Sequence, residues 1–244
     1  MTAKGKISLL ILAVIILSCW LFYDHGLKDK TKTPPLRILF IGNSFTSFNG
    51  GIGKQLEGLA PSIDTQMITP GGFNLHNHWN GEARNKIQEG KWDYVILQEQ
   101  SQLPVINPEM FFQYGTLLNQ ETRKAEAKTV FIMTWERPDS LSFSVTTENL
   151  SMAYQEIGRQ TGALVAPVGT AFRQSLRTRP DIPLYGNDGH PTVQGTFLAA
   201  CVLYATILKK NPVGNPFAGI INKDIGNYLK QVAAESVGFD EPKD

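Results

Sequence analysis

The feature that most constrains the fold is a short apolar run followed at once by small polar residues. Residues 38–41 are all apolar, and Gly42, Asn43 and Ser44 follow directly. A continuous apolar run bounded by turn residues is typical of a strand buried on both faces, as in a parallel sheet. Gly42 permits a sharp turn there, because it has no Cβ to clash. The sequence therefore predicts a central parallel strand with Ser44 at its carboxyl end.

Ser44 has two competing interpretations at this position. It can be a nucleophile above the sheet, where the N-terminus of the next helix supplies free N–H groups and the positive end of its dipole. It can equally, together with Asn43, only cap that helix, since both residue types are good N-caps. A phosphate loop is excluded, because Gln55 stands where such a loop needs Ser or Thr after Gly53-Lys54.

Four further strands alternate with helices along the rest of the chain. The predicted strands cover residues 64–69, 92–98, 129–134 and 163–168, and the predicted helices cover about 51–59, a segment ending near 87, 108–124, 147–160, 170–177, 191–208 and 222–232. This alternation predicts an α/β fold with a five-stranded parallel sheet covered by helices on both faces.

Composition restricts the class of protein. With 244 residues, 42% hydrophobic and 18% charged, residues 36–244 are expected to form one globular domain. The formal net charge of +1 gives no electrostatic reason to propose nucleic acid as a partner. His76 and His78 lie two residues apart, which resembles a zinc pair only weakly, so we expect them on the solvated surface and predict no metal site.

The N-terminus predicts export. Lys4 and Lys6 precede an apolar stretch over residues 7–23, which is the pattern of an export signal or a membrane anchor. Three outcomes stay open: an anchoring N-terminal apolar helix, a lipoprotein modified at Cys19, or a cleaved signal. A polar linker over residues 24–35 follows. The domain behind it is expected to face the periplasm or the cell exterior, touching the membrane through residues 1–23 only.

Polar groups suited to acyl chemistry follow the ends of several predicted strands, and a further group precedes the helix that begins near Pro191. They are Ser44, Gly72, Gln98, Gln100, Trp135, Arg137, Asp188 and His190. Groups that follow parallel strands share one edge of the sheet. Chemically the set contains a hydroxyl, a histidine to deprotonate it, a carboxylate to orient that histidine, and amide donors for a developing oxyanion.

Three segments resemble blocks of the SGNH hydrolases, also called the GDSL esterase superfamily. Ile-Gly-Asn-Ser44-Phe-Thr resembles the first block, with Asn43 in place of the usual Asp, and Gly72 resembles the glycine of the second. Asp188-Gly189-His190-Pro191 resembles the fifth block, in which Asp and His precede a helix. The resemblance implies a three-layer flavodoxin-like fold and hydrolysis of an ester by a serine nucleophile, without metal or organic cofactor.

The resemblance also implies a role for each group. Ser44 would attack the ester carbonyl, His190 would act as general base, and Asp188 would orient the imidazole. The N–H groups of Ser44 and Gly72 would bind the oxyanion, although Gly72 could also serve only its turn.

Two departures from the family pattern leave alternatives open. The Gly-x-Asn-Asp block is missing, and Gln98-Glu99-Gln100-Ser101 stands where its amide donor would lie, so either glutamine is a candidate for the oxyanion. The family spacing Asp-x-x-His is shortened, because Asp188 is two residues before His190. Asn187 stands at the usual distance but carries no charge, so Asp188 is preferred.

The sequence constrains the substrate less than it constrains the fold or the catalytic groups. Trp135 and Arg137 are predicted either to bind substrate or to pack at the rim. The resemblance suggests a small acyl group, such as O-acetyl, on a carbohydrate. A lipid ester, transfer of the acyl group to a sugar hydroxyl, and a non-catalytic carbohydrate-binding module remain alternatives.

Overall fold

The structure is a computed structural model that describes residues 34–239. Five strands form one parallel sheet in the order β2-β1-β3-β4-β5. The strands are β1 (Leu36–Ile41), β2 (Ile63–Ile68), β3 (Tyr94–Leu97), β4 (Lys128–Ile132) and β5 (Leu164–Ala166). This is the strand order of flavodoxin-like folds. The predicted fold class is therefore confirmed, with each strand within a few residues of its predicted place.

Helices connect the strands and close the chain. They are α1 (Ser44–Ser47), α2 (Ile52–Leu59), α3 (Leu75–Asn80), α4 (Ala83–Gln88), α5 (Leu103–Ile106), α6 (Pro108–Lys124), α7 (Thr147–Thr161), α8 (Val168–Thr178), α9 (Val193–Leu208) and α10 (Lys223–Val237). Short 3-10 turns cover Phe48–Gly50 and Pro138–Phe143. The prediction of one helix ending near residue 87 is wrong, because α3 ends at Asn80, with Gly81 as its C-cap, and α4 begins at Ala83.

Two apolar layers hold the helices against the sheet. On β1, Ile38 and Phe40 pack with residues of α2, α8, α9 and α10. Leu39 and Ile41 point to the other face and pack with α3, α4, α6 and α7. The alternation along one strand therefore produces a three-layer structure. Helix α9 is buried on almost all sides, which explains its uniformly apolar sequence.

Several candidate groups lie at the carboxyl ends of the parallel strands. The strand order reverses between β1 and β3, and ligands of open α/β sheets bind at the carboxyl ends of the strands near such a reversal. Ser44 follows β1, and Gln98 and Gln100 follow β3. The two segments therefore meet at the reversal.

The predictions for the N-terminal segment lie outside the described residues. They are the apolar helix over residues 7–23, the lipidation at Cys19 and most of the linker. Among the helices within residues 34–239, none has the length and apolar character needed to cross a bilayer.

Candidate active site

The nucleophile loop is a tight turn between β1 and α1. A Cβ on Gly42 would lie 2.6 Å from both Gln98 Oε1 and Thr46 Oγ1, so only glycine fits there. Asn43 caps α1, because its Oδ1 accepts a hydrogen bond from Phe45 N at 3.0 Å. The capping function falls to Asn43, and the Ser44 hydroxyl is left for another partner.

That partner is His190. Ser44 Oγ lies 2.8 Å from His190 Nε2, although the two residues are 146 positions apart in sequence. The other ring nitrogen, Nδ1, lies 2.9 Å from Asp188 Oδ2. The hydroxyl, imidazole and carboxylate predicted from the sequence are therefore in contact, in the order that a catalytic triad requires.

The shortened Asp-Gly-His spacing is accommodated by a tight turn. Gly189 adopts a positive φ of 79°, and its N–H donates to Gly186 O at 2.9 Å. The carboxylate of Asp188 accepts from the backbone N–H of His190 through Oδ1 at 3.1 Å, while Oδ2 faces the ring. Within residues 34–239, Asn187 makes no comparable contact with His190. The geometry thus favours Asp188 over Asn187 as the group that orients the ring.

Asp188 is open to water. Its side chain is 66% exposed, whereas that of His190 is 26% exposed. The pKa of Asp188 is lowered from its ordinary value, first by the His190 backbone N–H and then by the hydrogen bond to the ring. The carboxylate is therefore ionised at neutral pH, and solvent screens part of its effect on the imidazole.

Gln98 supports the nucleophile loop from behind. Its Oε1 accepts from Asn43 N and from Thr46 Oγ1, each at 2.9 Å, and the residue is 2% exposed. Its amide nitrogen donates to Glu99 O. The amide oxygen and one amide N–H of Gln98 therefore have partners inside the protein, which favours a supporting role, and a hydrogen bond from Gln98 to the oxyanion stays a prediction.

Gln100 is held differently. Its Oε1 accepts from Gln102 N at 2.9 Å and from Leu103 N at 3.2 Å, at the start of α5. The oxygen is thereby fixed, and the amide nitrogen makes no hydrogen bond within the described part of the chain. Of the two glutamines, Gln100 is the one whose donor group remains available.

His78 is the residue that sequence reasoning placed most wrongly. It was expected on the solvated surface, yet it is 1% exposed, and its Nε2 lies 2.7 Å from Gly42 O. Since a carbonyl only accepts, Nε2 carries the proton. Burial lowers the pKa of His78, which keeps the ring neutral. His78 thus fixes the backbone one residue before Asn43.

The Gly72 loop is joined to the same structure. Gly72 has a positive φ of 75°, as a turn after β2 requires. Asn43 Nδ2 donates to Phe73 O at 2.9 Å, and Glu99 Oε1 accepts from Leu75 N at 3.1 Å. Two hydrogen bonds therefore hold the Gly72 loop against the elements that carry Ser44 and Gln100. The Gly72 N–H makes no hydrogen bond within residues 34–239.

Glu99 is a buried carboxyl group behind this loop. It is fully buried, Oε1 accepts from Leu75 N and from Gln100 N, and Oε2 has no partner within the described residues. Burial raises the pKa of Glu99 to about 7, against the opposing effect of the two backbone donors. The region behind the nucleophile is therefore dry enough to disfavour a charge.

Trp135 supports the other side of the site. Its ring stacks on Phe45 at 4.7 Å and on Phe172 at 4.4 Å, and its Nε1 donates to Gly189 O at 3.2 Å. Only 2% of the residue is exposed. The stacking on both faces favours the packing alternative for Trp135, and a substrate contact by this residue stays a prediction.

Arg137 packs on the turn that carries Asp188. Its Nη2 lies 3.0 Å from Asp139 Oδ2, and Nη1 lies 3.5 Å from Asp188 O. A Cβ on Gly189 would lie 2.3 Å from Arg137 Nη1, so the glycine also allows this close approach. The side chain of Arg137 is 12% exposed. A substrate contact by Arg137 stays a prediction, and the rim packing is what the geometry gives.

No group of histidine, cysteine or acidic side chains within residues 34–239 is arranged to hold a metal ion.

Comparisons with solved structures decide the superfamily. Neither a family model nor a curated protein matches the chain. The chain is similar to a protein from Slackia heliotrinireducens assigned to the SGNH hydrolases, with 28% identity over 71% of this chain and 99% of that one, and a TM-score of 0.63. The chain has the SGNH hydrolase fold. The resemblance read from the three sequence segments is thereby confirmed.

Two further solved structures extend the comparison. A DUF4886 family protein from Bacteroides uniformis shares 18% identity over 83% of this chain and 95% of that one, with a TM-score of 0.68. An acetylxylan esterase from Geobacillus stearothermophilus shares 16% over 72% of this chain and 96% of that one, with a TM-score of 0.56. At such identities these two show the fold alone. The expected class, a hydrolase of ester bonds, agrees with the SGNH neighbours.

Proposed function

We propose that this SGNH-type protein is a serine esterase that removes a small acyl group, O-acetyl first of all, from a carbohydrate. The observation that carries the proposal is the pair of contacts made by His190, 2.8 Å to the Ser44 hydroxyl and 2.9 Å to the Asp188 carboxylate. A histidine bridging a serine and a carboxylate is the arrangement that activates a hydroxyl for attack on an acyl carbon.

The reaction follows from these positions. His190 Nε2 takes the Ser44 proton as the oxygen attacks the ester carbonyl, and the resulting imidazolium is stabilised by Asp188. The same nitrogen then protonates the leaving alcohol, which departs and leaves an acyl-serine. A water molecule, deprotonated by His190, attacks the acyl carbon and releases the carboxylic acid.

The developing oxyanion needs donors already in place. The candidates are the backbone N–H of Ser44, at the N-terminus of α1, the N–H of Gly72, and the side-chain amide of Gln100. Their support is that the Gly72 loop is hydrogen-bonded to Asn43 and that the Gln100 side chain is fixed through its oxygen, while the N–H of Gly72 and the amide nitrogen of Gln100 make no hydrogen bond within residues 34–239. Preorganised donors of this kind lower the barrier because they need not reorganise during the reaction.

The acetyl-carbohydrate choice rests on a neighbour and on the openness of the site. The similar protein from Geobacillus stearothermophilus is named an acetylxylan esterase. The turn that carries the general base is open to solvent, with Asp188 at 66% exposure, which suits an acyl group carried on a bulky polar molecule. A long acyl chain would instead need a deep apolar pocket beside Ser44.

The test compares the full-length chain with its Ser44→Ala variant on acetylated xylose and on para-nitrophenyl acetate. The wild type should release acetate and the variant should not. Equal rates would remove the esterase proposal and favour a non-catalytic binding module. Adding an acceptor sugar and searching for acylated product distinguishes hydrolysis from acyl transfer.

We further propose that the domain is exported and tethered to the membrane through the segment over residues 7–23. The support is the basic start and the apolar run in the sequence. A phosphatase that is active only outside the cytoplasm, fused to the C-terminus, should be active. An inactive fusion that is nevertheless produced would contradict export.

A further inference from the structure

Phe48 is an exposed aromatic residue that lies directly on the proposed general base. Its ring stacks on the His190 ring with centroids 4.1 Å apart and planes 18° from parallel. The residue is 41% exposed. The buried Phe45 contacts the same imidazole edge-on at 5.3 Å, so the His190 ring is held between two aromatic side chains. Phe48 is the one of the two that solvent, and therefore a ligand, can reach.

The backbone around Phe48 is fixed in an uncommon conformation. The next residue, Asn49, adopts a positive φ of 54°, which few residues other than glycine and asparagine tolerate. Asn49 Nδ2 donates to Pro191 O at 2.8 Å and to Thr196 Oγ1 at 2.9 Å. The turn that carries Phe48 is thus tied to the segment that carries His190, and the ring keeps its place relative to the imidazole.

The chemistry of acyl transfer says which part of a substrate meets this ring. The general base gives its proton to the oxygen of the leaving alcohol, so the alcohol must lie against His190. The carbonyl oxygen lies instead toward the oxyanion donors, with Gly72 and Gln100 as candidates. A side chain stacked on His190 therefore borders the alcohol rather than the acyl group.

We propose that Phe48 is a specificity-determining residue that binds the alcohol part of the ester, and that this alcohol is a sugar ring. The inference rests on the proposed esterase function. An aromatic ring offers a flat apolar surface with a negative face, which suits the C–H groups on one face of a pyranose. A fixed and exposed ring also loses little conformational entropy when it binds.

The test varies the two parts of the ester separately in the full-length chain. In the alcohol series, the acetyl group is kept and the acetates of xylose and of ethanol are compared. In the acyl series, ethyl acetate is compared with ethyl butyrate. For Phe48→Ala we expect the preference in kcat/KM for xylose acetate over ethyl acetate to fall about 3- to 10-fold, the size of one lost ring contact. The acetate-to-butyrate ratio should change by less than about twofold.

Two variants serve as comparisons. Phe48→Tyr keeps the ring and should retain the preference for xylose acetate. Phe143 is also an exposed aromatic residue, at 60%, in the turn after β4, but it does not stack on His190. Phe143→Ala should leave both ratios unchanged.

Three results would overturn the inference: an unchanged alcohol preference in Phe48→Ala, an equal change in the acyl series, or the same loss in Phe143→Ala. A wild type that hydrolyses none of the esters would instead contradict the proposed function itself, and this inference would fall with it. Comparison with Ser44→Ala therefore separates the two failures.

Discussion

The two sides of the triad are built in different ways. The Ser44 side is buried and held by several hydrogen bonds, since Gln98, His78 and Asn43 each fix a different part of the loop. The His190 side is an exposed turn in which Asp188 is 66% open to solvent. The position of Ser44 is therefore fixed by buried residues. The position of His190 depends instead on a short surface turn and on its contacts with the rings of Phe45 and Phe48.

The largest expected effect is on the side of the base. His190→Ala removes the ring nitrogen that lies 2.8 Å from the Ser44 hydroxyl, and kcat/KM for acetyl esters should fall by about 10³-fold or more. The measurement is the hydrolysis of para-nitrophenyl acetate, with circular dichroism as the control for folding. A loss of less than about tenfold would mean that another group activates Ser44.

Asp188→Ala should have a smaller effect than the loss of an enclosed triad carboxylate. Water can solvate the imidazolium where Asp188 is removed, because the site is exposed, so we expect a fall in kcat of about 10- to 100-fold. Asn187→Ala is the matched control and should retain nearly full activity. If Asn187→Ala were the more damaging of the two, the assignment of the orienting residue would be wrong.

Glu99→Gln tests whether water is excluded from the buried Glu99 carboxyl group, as its burial indicates. The pKa of Glu99 is raised by burial to about 7 in the folded protein, from an ordinary value of 4.5. A raised folded-state pKa gives stability that is present below the unfolded value and is lost as the pH rises through about 7. The charged form should therefore destabilise the wild type above that pH by up to about 3 kcal/mol.

The measurement is urea unfolding of both proteins at several pH values. Glutamine keeps an acceptor for Leu75 N and Gln100 N but does not ionise, so the variant should gain stability relative to the wild type between about pH 5 and pH 8. The same difference at every pH would show that Glu99 is hydrated or paired in the folded state.

The smallest expected effects are those of substitutions at Gln98 and Gln100, which distinguish a supporting role from a catalytic one. Gln98→Leu leaves the buried Asn43 N–H without an acceptor, and the free energy of unfolding should fall by about 1–3 kcal/mol. Gln100→Ala should leave the stability nearly unchanged and lower kcat by about tenfold or more, if its amide donates to the oxyanion. Denaturant titration and kcat, measured on both variants, distinguish support from catalysis. The reverse pattern would exchange the two roles.

The sequence alone was sufficient to predict the three side chains of the proposed triad. The position of Ser44 follows from the end of a predicted strand, where parallel sheets bind ligands, whereas Asp188 and His190 were singled out by their place before a predicted helix and by the resemblance to the SGNH blocks. The observed contacts among the three side chains agree with that prediction. Their catalytic roles remain predictions that the variants above test.

The roles that sequence reasoning missed depend on the direction of single side chains. His76 and His78 share a short helix but lie two residues apart, so they point to different sides, and only His78 enters the interior. Gln98 and Gln100 have the same chemistry, and they differ in the hydrogen-bond partners of the side-chain amide, which the sequence does not show. The position of Trp135 after β4 left both substrate binding and rim packing open, and only the structure shows that Phe45 and Phe172 stack on its two faces.

The most direct measurement of the central claim is covalent labelling by a fluorophosphonate, with the modified residue located by mass spectrometry. Such a probe reacts with a serine only when a neighbouring base has activated the hydroxyl. We expect a single label on Ser44 in the wild type, the same label in Asn187→Ala, and none in His190→Ala. Labelling of a different serine, or equal labelling of Ser44 without His190, would contradict this expectation.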